Sequence, residues 1–374
     1  MRVSRATKPV TAAVLALCLG AAPPPGSQTV RPLHEAAGEP FKIRETDHFT
    51  IAYNTDYGVI RPLVGRLEAT FDAAWRFAAE NNLADKPPAQ RLEVIVFDRL
   101  EEFRRYAERV GVTAGGMAGF YHPTTNVAAF CNMHNSPALA NLGSEIDRIQ
   151  RQHAALVSAN QPATLTRRRQ LRSALSNLAA SRETLVTRFN RLVIQHEGAH
   201  QVLFNLGVHV RGAMNPDWLI EGLACQFEVP QGDRTGRIRT INQMRLGDFR
   251  EALGLAANVR QITPEAHTKA LAARRVIPLT DLVSGKGFAE QPAEDVAYRY
   301  AQAWSLVFHL SRRHGRSFER YLKRLTSRAP GEAVEPEREL AEFESLFGKI
   351  GVAFETHWLT HMVGLRFDPH EAKR

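Results

Sequence analysis

The chain predicts an α+β fold, a small mixed sheet with helices at the front followed by a mainly helical lobe. Three observations carry this. Segments with strand periodicity occur only before about residue 132. From about residue 137 onward the apolar spacing is helical almost throughout. No internal repeat divides the 374 residues, which argues against a solenoid or a propeller.

Residues 1–22 read as a secretory signal. Arg2, Arg5 and Lys8 form a basic start, and Val10 to Ala22 an apolar run too short to cross a bilayer. Residues 23–40, rich in Pro, Gly and small side chains, read as a flexible lead-in. Export to the periplasm or beyond is the expectation.

Residues 41–136 form the N-terminal α/β part. His48 to Tyr53 alternates Phe49, Ile51 and Tyr53 on one side, as a strand does. A helix follows over Val59 to Asn81, then a strand over Arg91 to Phe97 centred on Val94-Ile95-Val96, then a helix over Leu100 to Val110. Met117 to His122 and Asn126 to Cys131 read as a hairpin around Pro123-Thr124-Thr125. Residues 137–186 read as a polar helical insertion, a hairpin broken near Gln161-Pro162. Residues 187–374 read as helices, with loops at Pro230 to Gly236 and Ser284 to Pro292, a last helical pair from Pro336 to Met362, and a frayed tail.

Hydrophobic content of 44% and charged content of 23% are ordinary for a globular protein. No apolar run reaches the length of a spanning helix, so no transmembrane anchor is expected. The net charge is +9, or +6 without Arg2, Arg5 and Lys8. Much of it lies between Arg167 and Arg191, best read as a solvated helix face. No nucleic-acid-binding motif appears. Cys131 and Cys225 have no zinc-type spacing and leave open one disulfide or two buried thiols.

The chemistry concentrates at His196-Glu197-Gly198-Ala199-His200, inside a predicted helix from Arg188 to Leu206. Residues four apart on a helix share a face. Two imidazoles so placed can hold one Zn²⁺, and the adjacent glutamate can reach a water in its open position. A third ligand is needed, and Glu221 is the candidate. It falls in the second turn of a helix that Asn215 would cap and Pro216 would start, with Gly207 ending the preceding helix. Asp217, Cys225 and Glu228 share the face of Glu221, and Glu228 is the best candidate to orient a ligand.

The motif H-E-x-x-H, with W-L-x-E-G-x-A at Trp218 to Ala224 about twenty residues on, resembles the gluzincin type of zinc metallopeptidase. It is most similar to secreted bacterial domains described as peptidase MA-like. The match covers His196 to Glu228. A metzincin would need Gly and His where this chain has Leu203 and Leu206.

The resemblance implies a zincin-like fold with the zinc at the junction of sheet and helical lobe. It implies one Zn²⁺ per chain held by His196, His200 and Glu221, with Glu197 as general base and a peptide or protein substrate, with the cell envelope as one source. Gluzincins often stabilise the oxyanion with a Tyr or His outside the motif, and Tyr300 is the best candidate, ahead of Tyr298. It sits on a predicted helix, Glu294 to His314, with Trp304, Val307 and Leu310 on the same face. By the same analogy the hairpin, at Gly119, Phe120 and Tyr121, borders the substrate. The alternative from another class is an inactive gluzincin-like domain that binds protein or envelope partners. His209 lies near the cleft without ligand spacing. His309, His314, His357 and His361 read as structural or surface residues.

Overall fold

The computed structural model describes residues 41–373, apart from 114–116, 136, 159–163, 231–235, 274, 287 and 289–294. The signal and lead-in expected over residues 1–40 lie outside the described residues, as does the break at Gln161-Pro162.

The architecture is mixed α and β. The strands are β1 (Lys42–Glu45), β2 (Phe49–Tyr53), β3 (Leu92–Phe97), β4 (Gly119–His122) and β5 (Val127–Cys131). They form one sheet of order β1-β2-β3-β5-β4, with β2-β3 and β3-β5 parallel and both outer pairs antiparallel. Helix α1 (Tyr57–Glu80) connects β2 to β3, and α2 (Leu100–Arg109) follows β3. A central parallel strand is covered on both faces, and Leu-Glu-Val-Ile-Val-Phe accordingly reads as a nearly continuous apolar run. Val94 and Val96 point into the main core with Leu67 and Phe71 of α1. Ile95 and Phe97 point into a smaller core with Phe103 and Tyr106 of α2. β1 was not anticipated. Its sequence, Lys-Ile-Arg-Glu, is exposed and mostly charged, as suits a protected sheet edge, and carries no burial signal.

Helix α3 (Pro137–Ser158) leads to α4 (Leu165–Asn205), a single helix of 41 residues. The expected boundary at residues 186 and 187 is therefore not a break. No Gly or Pro interrupts Leu165 to Glu197, so the second arm of the insertion runs directly into the H-E-x-x-H turn. Arg167, Arg169 and Arg172 face solvent on that arm. Asparagine 126, in the β4-β5 turn at φ 58°, is tied to Asn205, and Gln201 donates to the carbonyls of Glu93 and Asn126. These bonds pin the end of α4 to the sheet.

The helical lobe contains α5 (Asp217–Phe227), α6 (Gln243–Ala252), α7 (Pro264–Ala272), α8 (Leu279–Val283), α9 (Val296–Arg313), α10 (Gly315–Thr326), α11 (Pro336–Phe347) and α12 (Val352–Gly364). Helix α9 is its axis. Every residue from Tyr300 to Leu310 is buried, against the one-sided face that the sequence suggested, because α5, α6, α10 and α12 all pack around it. Gly222 lets α5 come close: a Cβ there would sit 2.6 Å from the Ala303 carbonyl oxygen.

Asn215 does not cap α5. Its carboxamide instead closes the preceding loop, accepting from the Val210 N–H and donating to the carbonyls of Val210 and Ala213. Such local bonding competes with capping. Gly207 does adopt the left-handed conformation after α4, at φ 75°. The tail is not frayed either. Gln243 bonds the Arg366 carbonyl and the Asp368 N–H, and Arg250 lies over the Phe367 ring. No helix among the described residues is long and apolar enough to cross a membrane.

Candidate metal centre

Helix α4 enters the core with close neighbours on two sides. Gly198 faces α1, where a Cβ would meet Leu67 Cδ2 at 2.9 Å, so the small residue of the motif is set by this packing. Gln195 donates to the Phe227 carbonyl at the end of α5. With α4 and α5 fixed to each other, His196, His200 and Glu221 converge in the interior, at 1%, 6% and 0% exposure.

The convergence is tight. His196 Nε2 lies 3.0 Å from His200 Nε2 and 3.0 Å from Glu221 Oε2, and His200 Nε2 lies 3.4 Å from Glu221 Oε1. One ligand atom from each residue lies within 4.8 Å of the others. Glu221 Oε1 is buried with no hydrogen-bond partner. Lone-pair atoms crowded together away from water are costly without a cation between them. The donor set suits a borderline dication such as zinc.

The supporting layer was partly foreseen. His196 Nδ1 lies 2.9 Å from Glu228 Oε1. With the Nδ1 proton given to that carboxylate, Nε2 presents its lone pair to the centre. Glu228 is held in turn by Asn242 Nδ2 and Arg245 Nε, each at 2.8 Å from Oε2, and by Arg245 Nη2 on Oε1. Arg245 and Asn242 were missed because they lie on or beside α6, far along the chain, and no local pattern marks them.

Charge balance follows from these contacts. Burial alone would raise the Glu221 carboxyl, but His200 and His196 outweigh it and hold it at about 2. Burial opposes ionisation of Glu228 as well, and Arg245 and His196 bring it to about 2. A second potential ligand group, His196 with Cys225 and Glu228, is less suited. Both Glu228 oxygens are already taken, and burial pushes the Cys225 thiol up to about 11. Cys131 and Cys225 are both free and buried, in separate cores.

Glu197 points to the sheet side of the centre, where its Oε2 accepts from the Tyr121 N–H at 2.9 Å. Burial raises its carboxyl above the ordinary range, which brings it closer to the neutral pH where a base works best. Tyr121 lies on β4, at one edge of the sheet, so the hairpin borders the centre.

Tyr300 packs edge-on against His196, ring centroids 5.5 Å apart, with the Arg245 guanidinium 5.4 Å from its own ring. Burial, reinforced by the Glu221 and Glu197 carboxylates, raises its phenol well above 10, so it stays a proton donor. Tyr298 points elsewhere, its hydroxyl on Glu251.

His209 is buried at 1% exposure beside Phe204, and neither ring nitrogen has a hydrogen-bond partner. Burial, with His200 adding to it, lowers its pKa to about 3. The unfolded chain would bind a proton near 6.5 and the folded chain would not, so stability falls as pH drops below that value. Between pH 7 and pH 5 this one residue costs on the order of 2 kcal/mol. Denaturant titrations in chelator should show that loss in the native protein and a smaller one in His209→Phe. Equal losses would mean that the imidazole is not held neutral.

Residues 191–332 match a family described as "Protein of unknown function (DUF1570)". No curated protein and no solved structure matches the chain. The matched stretch is less than half of the chain but contains His196, Glu197, His200, Glu221 and Tyr300, and the family's description assigns no activity.

Proposed function

We propose that the chain is an exported zinc-dependent hydrolase of zincin-like fold, a metallopeptidase of gluzincin type. One observation carries the reading: His196, His200 and Glu221 meet in the interior with Glu197 beside them. These three residues would hold the metal. Zinc, when bound, would act as a Lewis acid on the scissile carbonyl and make water acidic enough to react near neutral pH.

The remaining work falls to the chain itself. Glu197, fixed by the Tyr121 N–H through one oxygen, has its other oxygen available to take a proton from water and return it to the leaving amine. The Tyr300 hydroxyl donates to the charge that develops on the carbonyl oxygen. Strand β4, at the sheet edge, offers backbone for an extended peptide, by analogy with gluzincins. Burial of the centre excludes bulk water and strengthens each of these interactions.

Elemental mass spectrometry tests the metal. Glu221→Ala should carry one zinc fewer per chain than the native protein, and equal zinc in both would remove Glu221 from the centre. A peptide library then tests the reaction. Tyr300→Phe should lower turnover by roughly 10²-fold with zinc content unchanged. Turnover equal to that of the native protein would leave Tyr300 a packing residue.

A further inference from the structure

We propose that His309, His314 and His357 form a second metal site, separate from the first, for a transition-metal dication such as Zn²⁺ or Cu²⁺. His309 is near the end of α9, His314 is the corner residue between α9 and α10, and His357 is on α12. One ring nitrogen of each lies within 4.8 Å of the other two. His309 is nine residues beyond Tyr300 on the same helix, roughly 13 Å along its axis.

Two buried nitrogens point to a ligand. His309 is fully buried, and the Nε2 atoms of His309 and His314 are both enclosed without a hydrogen-bond partner. Packing alone does not account for this. Phe347 and Phe354 lie edge-on or stacked against these rings, and a phenylalanine in either place would bury no orphaned nitrogen.

The opposite nitrogen of His309 is accounted for: its Nδ1 lies 3.0 Å from Nδ1 of His361. Two nitrogens at that distance share one proton. With the proton on His309, its enclosed and unpartnered Nε2 is left as a lone pair. Metal-binding histidines commonly have the other ring nitrogen fixed in this way.

The chemistry selects the metal. The ligand group contains no carboxylate, so Ca²⁺ and Mg²⁺ are poor candidates and imidazole-preferring metals are good ones. His357 is exposed, which leaves one side open to solvent. There His357 and His361 border a surface cavity of about 560 Å³ together with Arg312 and Arg313. The arginines oppose a cation, so affinity must come from direct coordination, and they favour an anion as the fourth ligand. A metal held this way would tie α12 to the α9-α10 corner.

The proposal is independent of the reading of the first centre. The full chain, stripped with chelator and dialysed against Zn²⁺ or, separately, Cu²⁺, should retain two metals. His357→Ala should retain one, and because His357 is exposed this change leaves the core intact. Glu221→Ala should also retain one, and the double variant none. Added metal should raise the Tm of Glu221→Ala by roughly 5 °C and leave the double variant unmoved. Metal content of His357→Ala equal to that of the native chain, with either ion, would overturn the site. Loss on His357→Ala without loss on Glu221→Ala would sustain it and count against the first centre instead.

Discussion

Glu197→Gln should abolish measurable peptide hydrolysis while the protein keeps its zinc. The change preserves size and a hydrogen-bond acceptor for the Tyr121 N–H, so the fold and the three ligands are undisturbed. It removes the carboxylate proposed as the base. General-base catalysis contributes about 10²–10⁴-fold, and the same carboxyl also serves the leaving amine, so the upper part of that range is expected. Elemental analysis and cleavage assays on one preparation separate the outcomes. Full zinc with no cleavage supports a hydrolase. Full zinc with undiminished cleavage would show that another group is the base. If partner binding were the function, as in the inactive-domain alternative, the variant would retain it.

The largest effect on stability should come from Arg245→Met. Arg245 is 3% exposed and forms two hydrogen bonds to the fully buried Glu228. Removing it strands a carboxylate whose remaining partners are Asn242 and His196. Breaking a buried pair from one side costs about 3–5 kcal/mol. The second change, Glu228→Gln, removes the stranded charge and should recover part of that loss, so the double variant should be more stable than Arg245→Met alone. Denaturant unfolding of both variants checks this. A single variant within about 1 kcal/mol of the native protein would mean that the pair is not closed off from water. Metal affinity should fall in step, because Glu228 orients His196.

The parts of this protein that were readable from sequence are those whose cause is local. The alternation in Phe49 to Tyr53, the apolar centre of β3 and the turn between β4 and β5 each declare themselves within a few residues. So do His196, Glu197 and His200, because helical spacing is itself the geometry of the pair. Glu221 was picked out by its helix and by the resemblance of Trp218 to Ala224, and Glu228 by its helical spacing from Glu221. What escaped depends on chain segments far apart. Arg245 and Asn242 meet Glu228 only through the packing of α6. Asn215 was a plausible cap until a neighbouring loop offered its carboxamide nearer partners. The four histidines of α9, α10 and α12 are scattered over fifty residues, and only the folded lobe brings them together.

The length of α4 has a mechanical side. From Leu165 to His196 the helix rises roughly 46 Å without interruption, so the arm and the motif behave as one rod. Its far end is solvent-exposed and basic, its near end is clamped by Gln195 and Gln201. A tilt of about 5° about that clamp would carry the tip through roughly 4 Å while turning the His196 ring by the same small angle. Anything that grips the arm therefore holds a long lever whose short end is the H-E-x-x-H turn.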